Sequence, residues 1–85
     1  MLQTNLYLQT MEEINYKEQD RQAILDYLSE KNGEVDVPVL MSESGANRLR
    51  VYNLLWELEH DGTIVVTRQT ELGTPEAVAL KNHRV

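Results

Sequence analysis

The stretch "SGANRLRVYNLLWELEHDG", residues 44–62, places apolar residues at helical spacing and then ends in a glycine. At about 100° per residue, Leu54, Leu55 and Leu58 fall within about 60° of Val51 around a helix axis. Glycine after such a run is a helix-stop signal. The stretch therefore predicts a helix over residues 46–60 with one buried face. That face consists of Val51, Leu54, Leu55 and Leu58.

The opposite side of this helix is polar over its first turns. Arginine can bond guanine, and asparagine can bond adenine, through paired hydrogen bonds in the major groove. The small Ala46 would permit close approach of a partner, whereas Glu57, further along, would repel phosphate. The plain alternative is that these side chains are simply solvated. The DNA contacts expected here are Ser44, Ala46, Asn47, Arg48, Arg50 and Asn53.

A flank of the same helix is apolar beyond what a small core requires. Leu49, Tyr52 and Trp56 follow one another at spacings of three and four residues. Either the following hairpin or the N-terminal arm covers them within one chain, or a second subunit does. A large apolar patch would not stay bare in a soluble monomer. The arm residues expected at a subunit contact are Leu2, Leu6 and Leu8.

Upstream, the sequence predicts an amphipathic helix over residues 16–31. Asn15 followed by Glu18 has capping-box spacing, and Lys31 and Gly33 mark the end of the helix. Residues 1–14 fit neither a clean helical nor a clean strand period. We expect an arm there that docks on the domain or on a second chain; a frayed terminus is the alternative.

Between and after these helices the chain alternates short elements with turns. "EVDV" predicts a very short strand, and Asp36 can cap a short helix over 37–43 that has Pro38 in its first turn. Residues 63–68 and 76–81 are β-rich and flank a turn containing Gly73 and Pro75. A short helix and a turn before a longer helix is the helix-turn-helix order, and the hairpin would be a wing.

From Asp20 onward the chain resembles winged helix-turn-helix domains of bacterial transcriptional regulators, as in the MarR-like and PadR-like families. The segments that carry the resemblance are "AILDYL", "VDVPVL", "VYNLLWELEHDGTI" and "GTPEAVALK". It implies an α+β winged helix-turn-helix fold: a three-helix core with a C-terminal β-hairpin wing over residues 15–85, plus the arm at 1–14. It also implies that the third helix enters the major groove and that the wing touches the backbone or minor groove. The wing residues expected to contact DNA are Arg68, Gln69 and Thr70.

Composition bounds these expectations. The 85 residues suffice for one small domain, and the net charge is −6. Residues 1–43 hold nine acidic and three basic residues, whereas residues 44–85 hold five of each. An acidic first half would face away from DNA, because phosphate binding depends on lysine and arginine.

Several classes of function are not expected. The chain has no cysteine, so it offers no disulfide or thiolate site. No nucleophile motif, phosphate loop or metal-ligand spacing is present, so we expect no enzyme, metal, cofactor or small-molecule substrate. Without a membrane-length apolar run or a basic leader, we expect a cytoplasmic protein with no membrane contact.

The function expected from the sequence is sequence-specific binding of double-stranded DNA by a small transcriptional regulator. A domain of this size makes few phosphate contacts, so we expect a homodimer on two half-sites. The alternative is a winged-helix adaptor that binds another protein and not DNA. The net charge and Glu57 favour that alternative.

Overall fold

The computed structural model describes the backbone of residues 2–81 and the side chains of residues 16–81. It is an α+β structure with three helices and a three-stranded antiparallel sheet, which confirms the expected class. The elements are α1 (Leu2–Lys31), β1 (Val35–Asp36), α2 (Val37–Glu43), α3 (Arg48–His60), β2 (Ile64–Gln69) and β3 (Pro75–Leu80).

Helix α1 begins earlier than the sequence signals predict. Its backbone is helical from Leu2, so the capping-box spacing at Asn15 does not start it. No glycine or proline occurs in residues 2–31, and nothing in that stretch forces the helix to break. The end of the helix is as predicted: Asn32 adopts a left-handed φ of 54°, and its N–H donates to the Leu28 carbonyl. The expected docking contacts of Leu2, Leu6 and Leu8 lie outside the described side chains.

Helix α2 occupies the predicted range and begins with Pro38 in its first turn. Asp36 stands at the N-cap position, but its side chain makes no capping hydrogen bond. The carboxylate instead accepts a hydrogen bond from Arg68, at 2.8 Å. The capping role expected for Asp36 is therefore wrong, because a charged partner on β2 takes its side chain.

Helix α3 begins two residues later than predicted. Asn47 is its N-cap, and the Asn47 Oδ1 accepts a hydrogen bond from the Leu49 N–H at 2.8 Å. The helix ends before Gly62, whose φ of 86° favours glycine. The predicted buried face, Val51, Leu54, Leu55 and Leu58, is confirmed.

The sheet has the order β1–β3–β2, so β3 lies in the centre. Strand β1 contributes only the pairs Val35 with Val78 and Asp36 with Ala77. Strands β2 and β3 form the predicted hairpin, with an irregular register around Arg68. The sheet, the C-terminal part of α1 and the inner faces of α2 and α3 enclose one core. Its largest fully buried side chains are Ile24, Leu28, Leu40, Leu54, Leu55, Leu58 and Ile64.

Candidate interaction surface

The outward side of α3 carries large apolar side chains. Leu49 is 89% exposed, Trp56 is 61% exposed and Tyr52 is 43% exposed. Because Val51 and Leu55 fill the core from the opposite side of the helix, the outer side chains cannot reach that core. The sequence correctly separates this flank from the core. Within one chain, the hairpin does not cover it.

The tip of the β2–β3 hairpin adds another apolar side chain beside α3. Leu72, in the turn, is 95% exposed. A groove of about 430 Å³ separates the tip from α3, with Trp56 on one wall and Leu72 on the other. Its remaining lining residues are Tyr52, Asn53, Glu59, Gly73, Thr74 and Pro75.

A second groove, of about 440 Å³, continues from the first toward α2. The two grooves share Tyr52, Thr74 and Pro75, and the second is also lined by Val39, which is exposed. We call the apolar residues along these grooves and on the neighbouring turn of α3 the α3–hairpin surface. It consists of Val39, Leu49, Tyr52, Trp56 and Leu72.

Arg50, one of the arginines expected to read bases, is bonded within the chain. Its Nη1 donates to the Asp20 Oδ2 on α1 at 2.7 Å, and the Asp20 side chain is only 14% exposed. On the same side of α3, Glu57 accepts from the Lys17 ammonium at 3.0 Å. These ion pairs fasten α3 to α1. They also turn Arg50, one of the expected base contacts, toward α1.

Arg68, the expected backbone or minor-groove contact, is surrounded by carboxylates. Its guanidinium lies 2.8 Å from Asp36, 3.5 Å from Glu34 and 3.5 Å from Glu76. The hydrogen bond to Asp36, with the charges of all three acids, raises the pKa of Arg68. Three negative charges face one positive charge, so this end of the surface stays acidic.

Ala46 is placed differently from the sequence expectation. It precedes α3 and is 6% exposed, within the core. Ala46 would lie on the outer side only in a helix that already included it, and α3 begins at Arg48. Since Asn47 caps the helix, the backbone at Ala46 follows a different path, and the expected position of Ala46 on the outer side of α3 is wrong.

The remaining expected DNA contacts fall into two groups. The Ser44 Oγ accepts from the Ala46 N–H at 3.2 Å, and the Thr70 Oγ1 accepts from the Thr74 N–H at 3.1 Å. Asn47 is likewise used by the helix cap. Three other side chains are exposed, namely Arg48, Asn53 and Gln69.

Sequence reasoning missed Leu72, Val39 and the carboxylates that hold the arginines. An apolar Leu72 inside the polar turn "QTELGTP" was a usable signal, since an exposed tip does not require leucine. The pairing of Arg50 with Asp20 spans thirty residues and leaves no local pattern. Near the end of α3, the Trp56 and His60 rings stack with centroids 4.7 Å apart.

Two findings concern other kinds of site. Within the part of the chain that the structure describes, no group of three metal-ligating side chains is close enough to hold an ion. None of the described helices combines the length and apolar character needed to cross a membrane.

Comparison with protein-family models, curated proteins and solved structures finds no match to the chain.

Proposed function

We propose that the chain is a winged-helix-like protein-interaction module that docks another protein on its α3–hairpin surface. The observation that carries the proposal is the exposure of Leu49 and Trp56 on the outer side of α3. Exposed apolar side chains clustered in one area mark interaction sites, and tryptophan and tyrosine are enriched among the residues that dominate binding energy.

The order of the elements supports the winged-helix interpretation. A helix, a short strand, two further helices and a hairpin follow one another, and β1 pairs with β3 on the side away from β2. In that interpretation α2 and α3 form the helix-turn-helix, and the β2–β3 hairpin is the wing. The α3–hairpin surface then lies where the third helix and the wing would meet a partner.

The charges favour a protein partner over DNA. Lys17, Arg21, Arg50 and Arg68 each pair with a carboxylate of the chain. Among the lysines and arginines of residues 16–81, three form no ion pair with another described residue, namely Lys31, Arg48 and Lys81. Phosphate binding needs several free cations on one face, and the whole chain carries a net charge of −6.

A specific observation also supports DNA binding as a second candidate. Arg48 and Asn53 are exposed on α3, and both side-chain types read bases in the major groove. In this candidate, a homodimer would place two copies of α3 on two half-sites. The Arg68–Asp36 ion pair is exposed on both sides, and exposed ion pairs are weak, so phosphate can compete with Asp36 for Arg68.

One experiment separates the two candidates. Binders are selected from a random peptide library displayed on phage, and retention on double-stranded DNA is measured across a salt series. We expect peptides whose binding is lost in Leu72→Ser and in Trp56→Ala but kept in Tyr16→Ala, an exposed aromatic on α1. Retention on DNA that falls steeply with salt and depends on Arg48 would instead establish the second candidate.

A further inference from the structure

We infer that the occupant of the α3–hairpin surface is an amphipathic helix of another protein, with basic residues on both sides of its apolar anchors. The inference rests on the proposed function and adds the chemistry of the partner. Its basis is the combination of an apolar groove with acidic side chains at both of its ends.

The grooves suit an elongated segment. Two cavities of about 440 and 430 Å³ lie in a row and meet at Tyr52, so a ligand that fills both must be long. Val39 stands at one end of the row, and Trp56 and Leu72 stand at the other. An amphipathic helix that lays its apolar side into a groove is a long ligand with several apolar anchors, and this row offers apolar walls at both ends.

The acidic groups stand at the two ends of the row. At the α2 end, Glu34, Asp36 and Glu76 surround Arg68, which leaves two of their three charges uncompensated. At the other end, Glu59 lines the groove between α3 and the hairpin tip. Complementary charges at the edge of an interface select partners and speed association. Lysine or arginine flanking the apolar anchors therefore fits both ends.

The same charges disfavour a second copy of this chain. A two-fold dimer places the same patch on both sides of its interface, so acidic ends would meet acidic ends or the apolar centre. Among the residues whose side chains the structure describes, Arg68 is the only lysine or arginine that lines either groove, and its own carboxylates already hold it. Like charges brought together in an interface cost affinity. A separate basic partner satisfies the surface, whereas self-association does not.

The test uses two synthetic helical peptides with the same leucine stripe, one flanked by lysines and one by glutamates. Neither contains tryptophan, so the fluorescence of Trp56, the single tryptophan of the chain, reports docking. We expect the lysine peptide to shift the emission to shorter wavelengths and to bind roughly tenfold more tightly than the glutamate peptide. Added salt should weaken the binding of the lysine peptide, because it screens the attraction between opposite charges.

Matched variants establish where the peptide binds. Glu59→Gln and Glu30→Gln remove the same charge, but Glu30 is exposed on α1 and lines neither groove. We expect Glu59→Gln to lower the affinity for the lysine peptide severalfold and Glu30→Gln to leave that affinity unchanged. Leu72→Ser, which removes an exposed side chain without touching the core, should abolish the Trp56 shift.

Several outcomes would overturn the inference. Equal binding of the two peptides would show docking without selection by charge, and the proposed function would stand. Equal effects of Glu59→Gln and Glu30→Gln would show unspecific attraction to an acidic protein. If the lysine peptide caused no shift of the Trp56 emission, the inference of a basic partner would be wrong. If DNA retention through Arg48 accompanies that absence, the proposed function fails as well.

Discussion

The Arg50 guanidinium donates to the Asp20 carboxylate at 2.7 Å and joins the outer edge of α3 to α1. The Asp20 side chain is largely buried around this contact. In the neighbouring Lys17–Glu57 pair, the acidic side chain, Glu57, is more exposed than Asp20. An ion pair shielded from water loses less of its attraction to screening than one at the open surface.

We predict that the Asp20–Arg50 pair contributes measurably to stability and that the Lys17–Glu57 pair does not. A double-mutant cycle with Asp20→Asn and Arg50→Gln should give a coupling energy of about 1 kcal/mol, at the upper end for such pairs. The same cycle on Lys17 and Glu57 should give a value near zero. Urea denaturation of the variants measures both. A larger coupling for the exposed pair would contradict the structure.

Two leucines of α3 provide a second prediction with its own control. Leu55→Ala should lower the free energy of unfolding by about 2–5 kcal/mol, because the side chain is fully buried and a cavity remains. Leu49→Ala, the same change on the outer side, should stay within about 0.5 kcal/mol of the parent chain. Thermal or urea unfolding compares them directly. Similar losses would mean that a second copy or the N-terminal segment covers Leu49.

These two leucines also show what the sequence could predict. Helical periodicity identifies the buried face of α3, because any helix of that sequence must turn Val51 and Leu55 to the same side. The hairpin and the end of α3 follow from local signals, such as Gly62 and the β-branched run after it. The α+β class can be predicted from the same local signals, because they identify both the helices and the hairpin.

Interactions between distant residues could not be predicted in this way. Asp20 and Arg50 are thirty residues apart, and the three acids around Arg68 lie at least thirty residues before it, as Glu34 and Asp36, or on the following strand, as Glu76. An arginine that looks free in the sequence is therefore held in the structure. The starts of α1 and α3 differ from the prediction because capping residues permit a helix to begin without requiring it: Asn15 lies inside a helix, whereas Asn47 caps one.

The cap of α3 gives a third prediction. Asn47→Ala should lower the free energy of unfolding by about 1 kcal/mol, because the Leu49 N–H loses its acceptor. Asn47→Asp should keep most of the stability, since a carboxylate caps equally well and favours a helix N-terminus. Asn53→Ala is the matched control, because Asn53 is exposed inside the helix and alanine has higher helix propensity. A loss in Asn53→Ala as large as in Asn47→Ala would argue against the cap.

The turn after α3 supplies a pH-dependent contact. The Thr63 hydroxyl donates to the Asp61 carboxylate at 2.6 Å, and the Arg21 guanidinium donates to it at 3.1 Å. The hydrogen bond from Thr63 and the contact with Arg21 lower the pKa of Asp61 below its ordinary value, which is about 3.9. The carboxylate therefore releases its proton more readily in the folded chain than in the unfolded one.

We predict that Asp61 stabilises the fold at neutral pH and loses this effect in acid. A pKa lowered by folding contributes stability that is present above the unfolded value and is lost as pH falls through the lower folded value. Asp61→Asn should therefore have a lower melting temperature than the parent at pH 7. Below about pH 4, the melting temperature of the variant should fall less steeply with decreasing pH than that of the parent. Thr63→Val, which removes only the hydroxyl, should change the curve in the same direction by less. Parallel curves for Asp61→Asn and the parent would show that the Thr63 and Arg21 contacts do not favour the charged form.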